Sequence, residues 1–523
     1  MLPYLQNTRS KTKQQIVAFR GLNLTENHAD GEFAATTNLT SAEFPVLTQR
    51  AERMVFRAGT ATTALYARGH LVFVDGTSLY YYNSATGLYA VVGTVTAGAK
   101  QFATVNTKVV IWPDKVYLDL NDLAVKPLEH TETCAGSFAV VATPAATTFT
   151  TTGAAFTFAK GDAVKVSGCT TATANNGVTA IIRSISTDGK TLTFDTAVFV
   201  AGTESAVTLS RAIPDMDYIC EWNNRLWGCG GGTIYASALG EPQNFNVFDG
   251  LSTDSYAVAV GSDGDFTGCM GYPTHILFFK EHMVHKVYGT KPSNYEITPG
   301  FWHGIKKGSN KSTAIINGVM YLHTPDGIVA YAGSIPSIVS AALGTHSFKD
   351  AVACARGTDY VVSMYDEMTG KWGIYVYDTL RGLWMREDAT QVKDFAFHDG
   401  HLYFVSGNDI IGYGTAAPAL SSEPKIEWSA ELCRFDEHIT ETKNYSRLNL
   451  RCELESGSWL RVELATDNDI FREVRTISAN GRRVFAIPIR PTRCDSFRIR
   501  LSGDGRCRVY ALTREFSTGS DLR

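Results

Sequence analysis

The sequence predicts an all-β chain: a β-propeller of about seven blades, an inserted small β-domain and a C-terminal β-sandwich. Three observations predict it. A hairpin unit recurs seven times: an apolar run, a tight turn, then a second apolar run rich in Tyr. Its copies follow at intervals of about 37–51 residues, the length of a four-stranded blade, once a single excess of about 80 residues is set aside. After the last copy the pattern changes to period-2 alternation of apolar and charged residues. The length of 523 residues suits several domains, and 46 Gly, 44% hydrophobic and 19% charged residues are the balance of a turn-rich globular protein.

Residues 1–60 predict an N-terminal arm. Within it, residues 15–19 (QIVAF) read as the strand that closes the ring by completing a blade, and residues 23–50 read as loop. The first blades occupy residues 61–130. Their first hairpin is GHLVFVDGTSLYYY, residues 69–82, where alternation groups Leu71, Phe73, Leu79 and Tyr81 on one face. A second copy lies at 107–118.

The excess length falls next. Residues 131–212 are rich in Thr and Ala and alternate as short strands, with Asp188-Gly189 as a hairpin turn. They predict an inserted β-barrel or sandwich. The blades resume over 213–415, with hairpins at 224–235, 275–288, 318–331, 357–377 and 400–413, and Trp112, Trp227, Trp372 and Trp384 are expected to fill the wedges between blades. Residues 416–424 read as a Pro/Ser/Ala linker. Residues 425–523 show the alternation of a sandwich, as in LNLRCEL from Leu448 and FRIRL from Phe497.

The net charge of -4 gives no global basic field for nucleic acid. No apolar run is long enough for a membrane span, and the first residues lack the apolar core of a secretory signal. The ten cysteines, none in C-x-x-C spacing, read as buried free thiols of a protein assembled in a reducing cytoplasm. Charge is nevertheless uneven. Between Arg472 and Arg514 stand 11 Arg against Glu473, Asp495 and Asp504. Alternation places Arg498, Arg500, Arg506 and Arg508 on the polar face of adjacent strands. Their planar guanidinium groups suit bidentate pairing with carboxylates of a partner protein, and they are the candidate interface. A solvated face and a nucleic-acid surface are the alternatives; the scarcity of aromatics there disfavours the second.

Other motifs yield no catalytic, cofactor or metal site. The turn at 186–191 (STDGKT) is one residue short of an Asp-box and lacks its terminal Trp. His282 and His285 would fall on opposite faces of a strand, and Ser262–Asp265 lacks a full calcium-loop pattern. The glycine run 228–232 opens no helix that could cradle phosphate.

Three segments carry a family resemblance. One is FRGLN at 19–23 with Asp30-Gly31-Glu32, Asn38-Leu39, EFPVL at 43–47 and Arg50. The second is NNRLWG at 223–228 leading to IYASALGEPQNF at 234–245. The third is GDAVKVSG at 161–168. Over residues 15–415 the chain resembles β-propeller virion proteins of tailed bacteriophages, of the packaged-DNA stabilisation or tail nozzle and hub type. The resemblance implies a structural role with no catalytic residues and no cofactor. Copies would form a homo-oligomeric ring in the virion tail below the portal, docking on portal, adaptor or tail subunits, with DNA passing through. A receptor- or carbohydrate-binding tail protein and a propeller glycosidase are the rival readings.

Overall fold

The computed structural model describes residues 11–195, 198–414, 421–423, 425–478, 480–490 and 493–518. Among them the chain is all-β, with helix confined to single 3-10 turns. It divides into two compact units, Thr63–Asn310 and Met1–Thr62 with Lys311–Arg523.

In the first unit, four antiparallel sheets of four strands follow one another as meanders. They span residues 62–94, 101–127, 218–259 and 266–300. Their central strands, Leu71–Asp75, Arg225–Gly230 and His275–Lys280, are buried at every position. Near-continuous apolar runs such as LVFVD follow from burial on both faces. Val72, Val74 and Leu79 pack with Val109, Ile111 and Leu118 of the second sheet, whose opposite face sends Ala103, Val110 and Trp112 against Leu226 and Phe245 of the third. Trp227 and Ile234 of the third then meet Ile276 and Phe278 of the fourth. Each fully buried Val, Leu, Ile or Phe in these layers contributes about 1.5–3 kcal/mol.

Register corrects the expected face of the first hairpin. The two-residue turn at Gly76-Thr77 sets Leu79 opposite Val74 and Tyr81 opposite Val72. Directly opposed residues share a face, so Leu79 and Tyr81 lie on the side away from Leu71 and Phe73. Of the four tryptophans, Trp112, Trp227 and Trp384 are buried in layers between sheets, whereas Trp372 is half-buried and packs edge-on to Tyr365, 5.6 Å between ring centres.

Between the second and third sheets, seven strands from His130–Ala142 to Gly202–Arg211 form one sheet around a single core. Phe138, Phe149, Phe156, Phe158, Phe194 and Phe199 fill it. The two edge strands, Thr179–Ile181 and Ser184–Ile185, are two residues apart in sequence, so the sheet curls until one short stretch bridges its edges. Glu204 pins the loop at 170–172 by accepting backbone N–H bonds from Thr170, Thr171 and Ala172. Burial opposes ionisation there, but these donors outweigh it and hold the carboxyl at about 2.

The second unit contains three further meander sheets, over residues 314–338, 348–386 and 394–413. The last has three strands of its own and takes its fourth from far upstream. Arg53–Arg57 pairs with Asp409–Tyr413, Ile411 opposite Val55 and Tyr413 opposite Arg53. This corrects the strand assignment in the arm: the residues that complete a repeat sheet are 53–57. The stretch around Gln15 instead forms Thr12–Ile16 and pairs with Cys507–Thr518 in the C-terminal region. The arm strand 12–16 alternates no better than 53–57, and neither sequence says which partner it will find.

A buried ionic cluster fastens the strand. Arg53 donates to Glu387 Oε2 at 2.7 Å, to Asp388 Oδ2 at 2.5 Å and to the Tyr413 hydroxyl at 3.0 Å. Tyr413 donates in turn to Glu387, and Arg356 approaches the other Glu387 oxygen at 3.5 Å. Glu387 is fully buried. Burial alone would raise its carboxyl, but Arg53 and Arg356 outweigh it and hold it below the usual carboxylate range.

The C-terminal region is a sandwich of two sheets around one core, where Leu448, Leu450 and Leu512 of one sheet meet Val462, Ile499 and Leu501 of the other. Residues 23–50, expected as loop, supply strands to both. Glu32–Thr37 pairs with Glu427–Leu432, and Leu47–Gln49 pairs with Cys507–Thr518. The strands are short, which hides their alternation. Gly21, at φ +91°, lies so close to the Trp384 carbonyl that a Cβ would sit 2.6 Å from its oxygen. Arg225 of the NNRLWG segment is fully buried and donates to the carbonyls of Ser237, Ser252 and Asp254. Residues in two of the segments that carry the family resemblance therefore hold the fold. The expected linker falls mostly on residues 415–420 and 424, outside the described residues.

Removing one partner of the buried cluster strands a charge without water. Arg53→Ala or Glu387→Gln is expected to cost about 3–5 kcal/mol in urea unfolding. Because the Glu387 carboxyl is depressed, its stabilisation is present above about pH 4.3, the ordinary Glu value, and is lost as pH falls through the lower folded value. Glu387→Gln removes this titration, so its stability should fall less steeply with acid than the native chain's and the gap between the two should narrow at low pH; an equally steep acid limb in urea unfolding at a series of pH values would count against the depressed carboxyl.

Candidate protein interface

The four arginines expected to form one face are divided between two. Arg498 and Arg500 stand on Phe497–Asp504, where the neighbours Ile499 and Leu501 point into the core; Arg508 stands on Cys507–Thr518, where Val509 does. These strands belong to different sheets. The outward faces of a sandwich point in opposite directions, so the arginines diverge. All four also have acids of their own chain. Arg500 donates to Glu431 at 2.8 Å and Arg498 to the Asp469 carbonyl at 2.8 Å. Both stack on Phe471. Arg508 forms a bidentate pair with Glu43 at 2.6 and 2.7 Å, and Arg506 lies 3.4 Å from Glu455. Glu43 is held below its usual range by the Arg508 hydrogen bonds.

The uncompensated charge lies beside them. Arg472–Ser478 is the edge strand of one sheet and Gly481–Pro488 the edge strand of the other, joined in sequence and set at the same open side of the sandwich. Residues 470–493 contain six Arg, no Lys and one acid, Glu473, which is already paired with Arg461 at 3.2 Å. Among the described residues, Arg472, Arg475, Arg482 and Arg483 form no ion pair. All four are exposed.

Register shows how unusual their positions are. Arg475 stands opposite Val462 and Arg472 opposite Leu464; on the other sheet Arg483 stands opposite Cys452. Val462, Leu464 and Cys452 face the core, so these three arginines occupy inward positions at its open mouth. Arg475 reaches across the mouth, donating to the Ala486 carbonyl of the other sheet at 3.0 Å with its guanidinium over Phe485. Beside Arg472 lies a cavity of about 340 Å³, floored by Tyr445, Leu464 and Phe497 and rimmed by Arg472, Val474 and Arg490. The Tyr445 and Phe497 rings stack at 4.1 Å. Ile470 and Val484 stand 76% and 60% exposed beside the arginines.

Sequence reasoning located the arginine excess but did not single out the members that form no ion pair within the chain. It favoured the cleanest alternation, and clean alternation marks strands whose outer residues find cross-strand acids. The available signal was the opposite one: REVRTIS and GRRVFAIP break the alternation by placing Arg where an apolar residue belongs.

The remaining motifs are turns and packed groups. Ser186–Thr191 closes a hairpin through Asp188, His285 lies 2.7 Å from Ser262 Oγ, and Gly231 and Gly232 form a left-handed turn. All ten cysteines are free. Among the described residues, no group of three or more His, Cys, Asp or Glu is placed to hold a metal, and no helix is long and apolar enough to cross a membrane. Aromatic platforms of the kind that bind sugars are covered in the sandwich. Arg461 lies over Trp459, Arg482 over Tyr510 at 3.9 Å, and Arg500 over Phe471 at 3.9 Å.

No family model matches the chain, and no curated protein does. Among solved structures it is similar to Kluyveromyces lactis Hsv2, at 9% identity over 72% of this chain and 96% of that one, with a TM-score of 0.32. It is also similar to an exo-β-1,3-galactanase of Phanerochaete chrysosporium, at 6% identity over 88% of this chain and 100% of that one, TM-score 0.19. PorZ of the Porphyromonas gingivalis type-IX secretion system aligns at 12% identity over 74% of this chain and 64% of that one, TM-score 0.18. At these TM-scores no property of those proteins passes to this chain.

Arginines of one domain should thus behave differently on substitution. Arg514, fully buried on Glu437 at 2.8 Å, is expected to cost about 3–5 kcal/mol when changed to Ala. Half-exposed Arg508 should cost no more than about 1 kcal/mol, and Arg472→Ala or Arg483→Ala should stay within about 0.5 kcal/mol. Thermal unfolding of the four variants checks the order.

Proposed function

We propose that this chain is a structural component of a bacteriophage tail, of the nozzle, hub or DNA-stabilising type, acting through protein–protein assembly and not through catalysis. In this reading the seven meander sheets are the seven blades of one propeller, and the strand at 53–57 closes it. Copies join as a homo-oligomeric ring in the virion tail, assembled in the host cytoplasm and docked on portal, adaptor or tail subunits, with DNA passing through.

The observation that carries the reading is the open sandwich edge with its unpaired arginines. An enzyme concentrates buried, perturbed groups in a pocket; here the charge without an internal partner is exposed, composed of Arg without Lys, and set among exposed apolar side chains. Protein interfaces favour that composition. The sequence resemblance supplies the virion context. The arginine-covered aromatics of the sandwich weigh against a carbohydrate-binding surface there.

Electron micrographs of the purified full chain test this directly. Seven-lobed protomers assembled into rings of uniform copy number are expected, with no glycan hydrolysis by the same preparation. Protomers whose sheets lie in open layers, or measurable sugar release, would sink it.

A further inference from the structure

The mouth of the sandwich combines three features that define a partner. Two edge strands expose backbone groups able to pair with an added strand. The arginines at inward positions present donors without acids. The cavity between the sheets is aromatic at its floor, and the inward register position opposite Leu464 at its rim holds Arg472, with Arg475 at the next inward position along the same strand. We infer that this mouth receives an acidic extended segment of a neighbouring protein, which pairs along the Arg472–Ser478 strand and seats one large apolar side chain in the cavity.

The inference rests on the proposed assembly role and adds the chemistry of the partner. Inward charges on an edge strand also serve to keep edges from aggregating, and lysine is the residue most used for that. The two edge strands hold four arginines and no lysine. Arginine binds carboxylates through a planar fork and carries much of the energy at interface centres. The cavity volume of about 340 Å³ lies in the range of sites that enclose a bulky group. A nucleic-acid duplex would meet the arginines with its phosphates but keeps its bases stacked and has none to place on a floor of Tyr445, Leu464 and Phe497; a single strand, whose bases could stack there, is an arm of the test below. Glu473 and Asp469 also line the cavity. Glu473 is paired with Arg461, and Asp469 accepts from Thr466 at 3.3 Å and forms no ion pair with Arg472.

The test uses the full chain and a fluorescein-labelled peptide of sequence ETEFETE. Saturable anisotropy is expected, weakening by at least about tenfold for the double variant Arg472→Glu/Arg475→Glu and for the peptide with Ala in place of Phe, and falling with added salt. Arg472→Lys/Arg475→Lys, which keeps charge and fold, should lose affinity by a smaller factor. The charge-inverted peptide KTKFKTK should not bind. Circular dichroism verifies that each variant is folded; these side chains are exposed and form no ion pair, so folding is expected. Absence of saturable binding by the native chain overturns the inference, as does affinity indifferent to the Phe or to the two arginines. Aggregation of the double variant with peptide affinity intact would make the arginines edge guards and likewise overturn it. So would a single-stranded 20-mer DNA that binds more tightly than the peptide and loses affinity in the double variant. Ring formation by the native chain is read separately in micrographs: rings without peptide binding remove only the docking chemistry, and peptide binding without rings removes only the ring.

Discussion

A single buried carboxylate, Glu387, ties the N-terminal arm to the last two repeat sheets of the second unit. It is fully buried, and Arg53, Arg356 and the Tyr413 hydroxyl converge on it and favour its ionised form. Arg53 comes from the N-terminal arm, Arg356 and Glu387 from the sixth repeat sheet or its end, and Tyr413 from the seventh. The cluster therefore joins chain segments more than 300 residues apart and is complete only when the arm strand is in register with Asp409–Tyr413. Non-local closure of this kind is slow to form because the loop entropy precedes the reward.

The same arm commits the sandwich. Between Thr12 and Gln49 it supplies short strands to both sandwich sheets, and Arg50 links to Glu423 at 2.7 Å while Thr36 exchanges hydrogen bonds with Arg386. The sandwich is thus not an appended C-terminal module. It is a composite of both ends of the chain, and its stability and that of the last repeat sheets are coupled through one segment.

Arginine performs two separate tasks in this region, distinguished by what surrounds it. Arg514 and Arg53 are buried, paired and structural. Arg472, Arg475, Arg482 and Arg483 are exposed and have no acid. The first kind is indispensable because a buried charge without its partner has no substitute for water. The second contributes little to folding, which leaves it free to serve recognition.

The repeat period, the two-sided apolar strands, the Thr-rich insert and the period-2 C-terminal strands were all legible in the amino-acid sequence. They arise from local burial demands that recur at fixed spacing, and spacing survives in one dimension. The pairing of Arg53–Arg57 with a strand some 350 residues later, the strands hidden in residues 23–50, the faces of Leu79 and Tyr81 and the separation of Arg498 from Arg508 were decided only in three dimensions. Each depends on register or on which distant segment a strand meets. Backbone hydrogen bonds are alike for every residue, so the local sequence does not choose among partners; the whole core does.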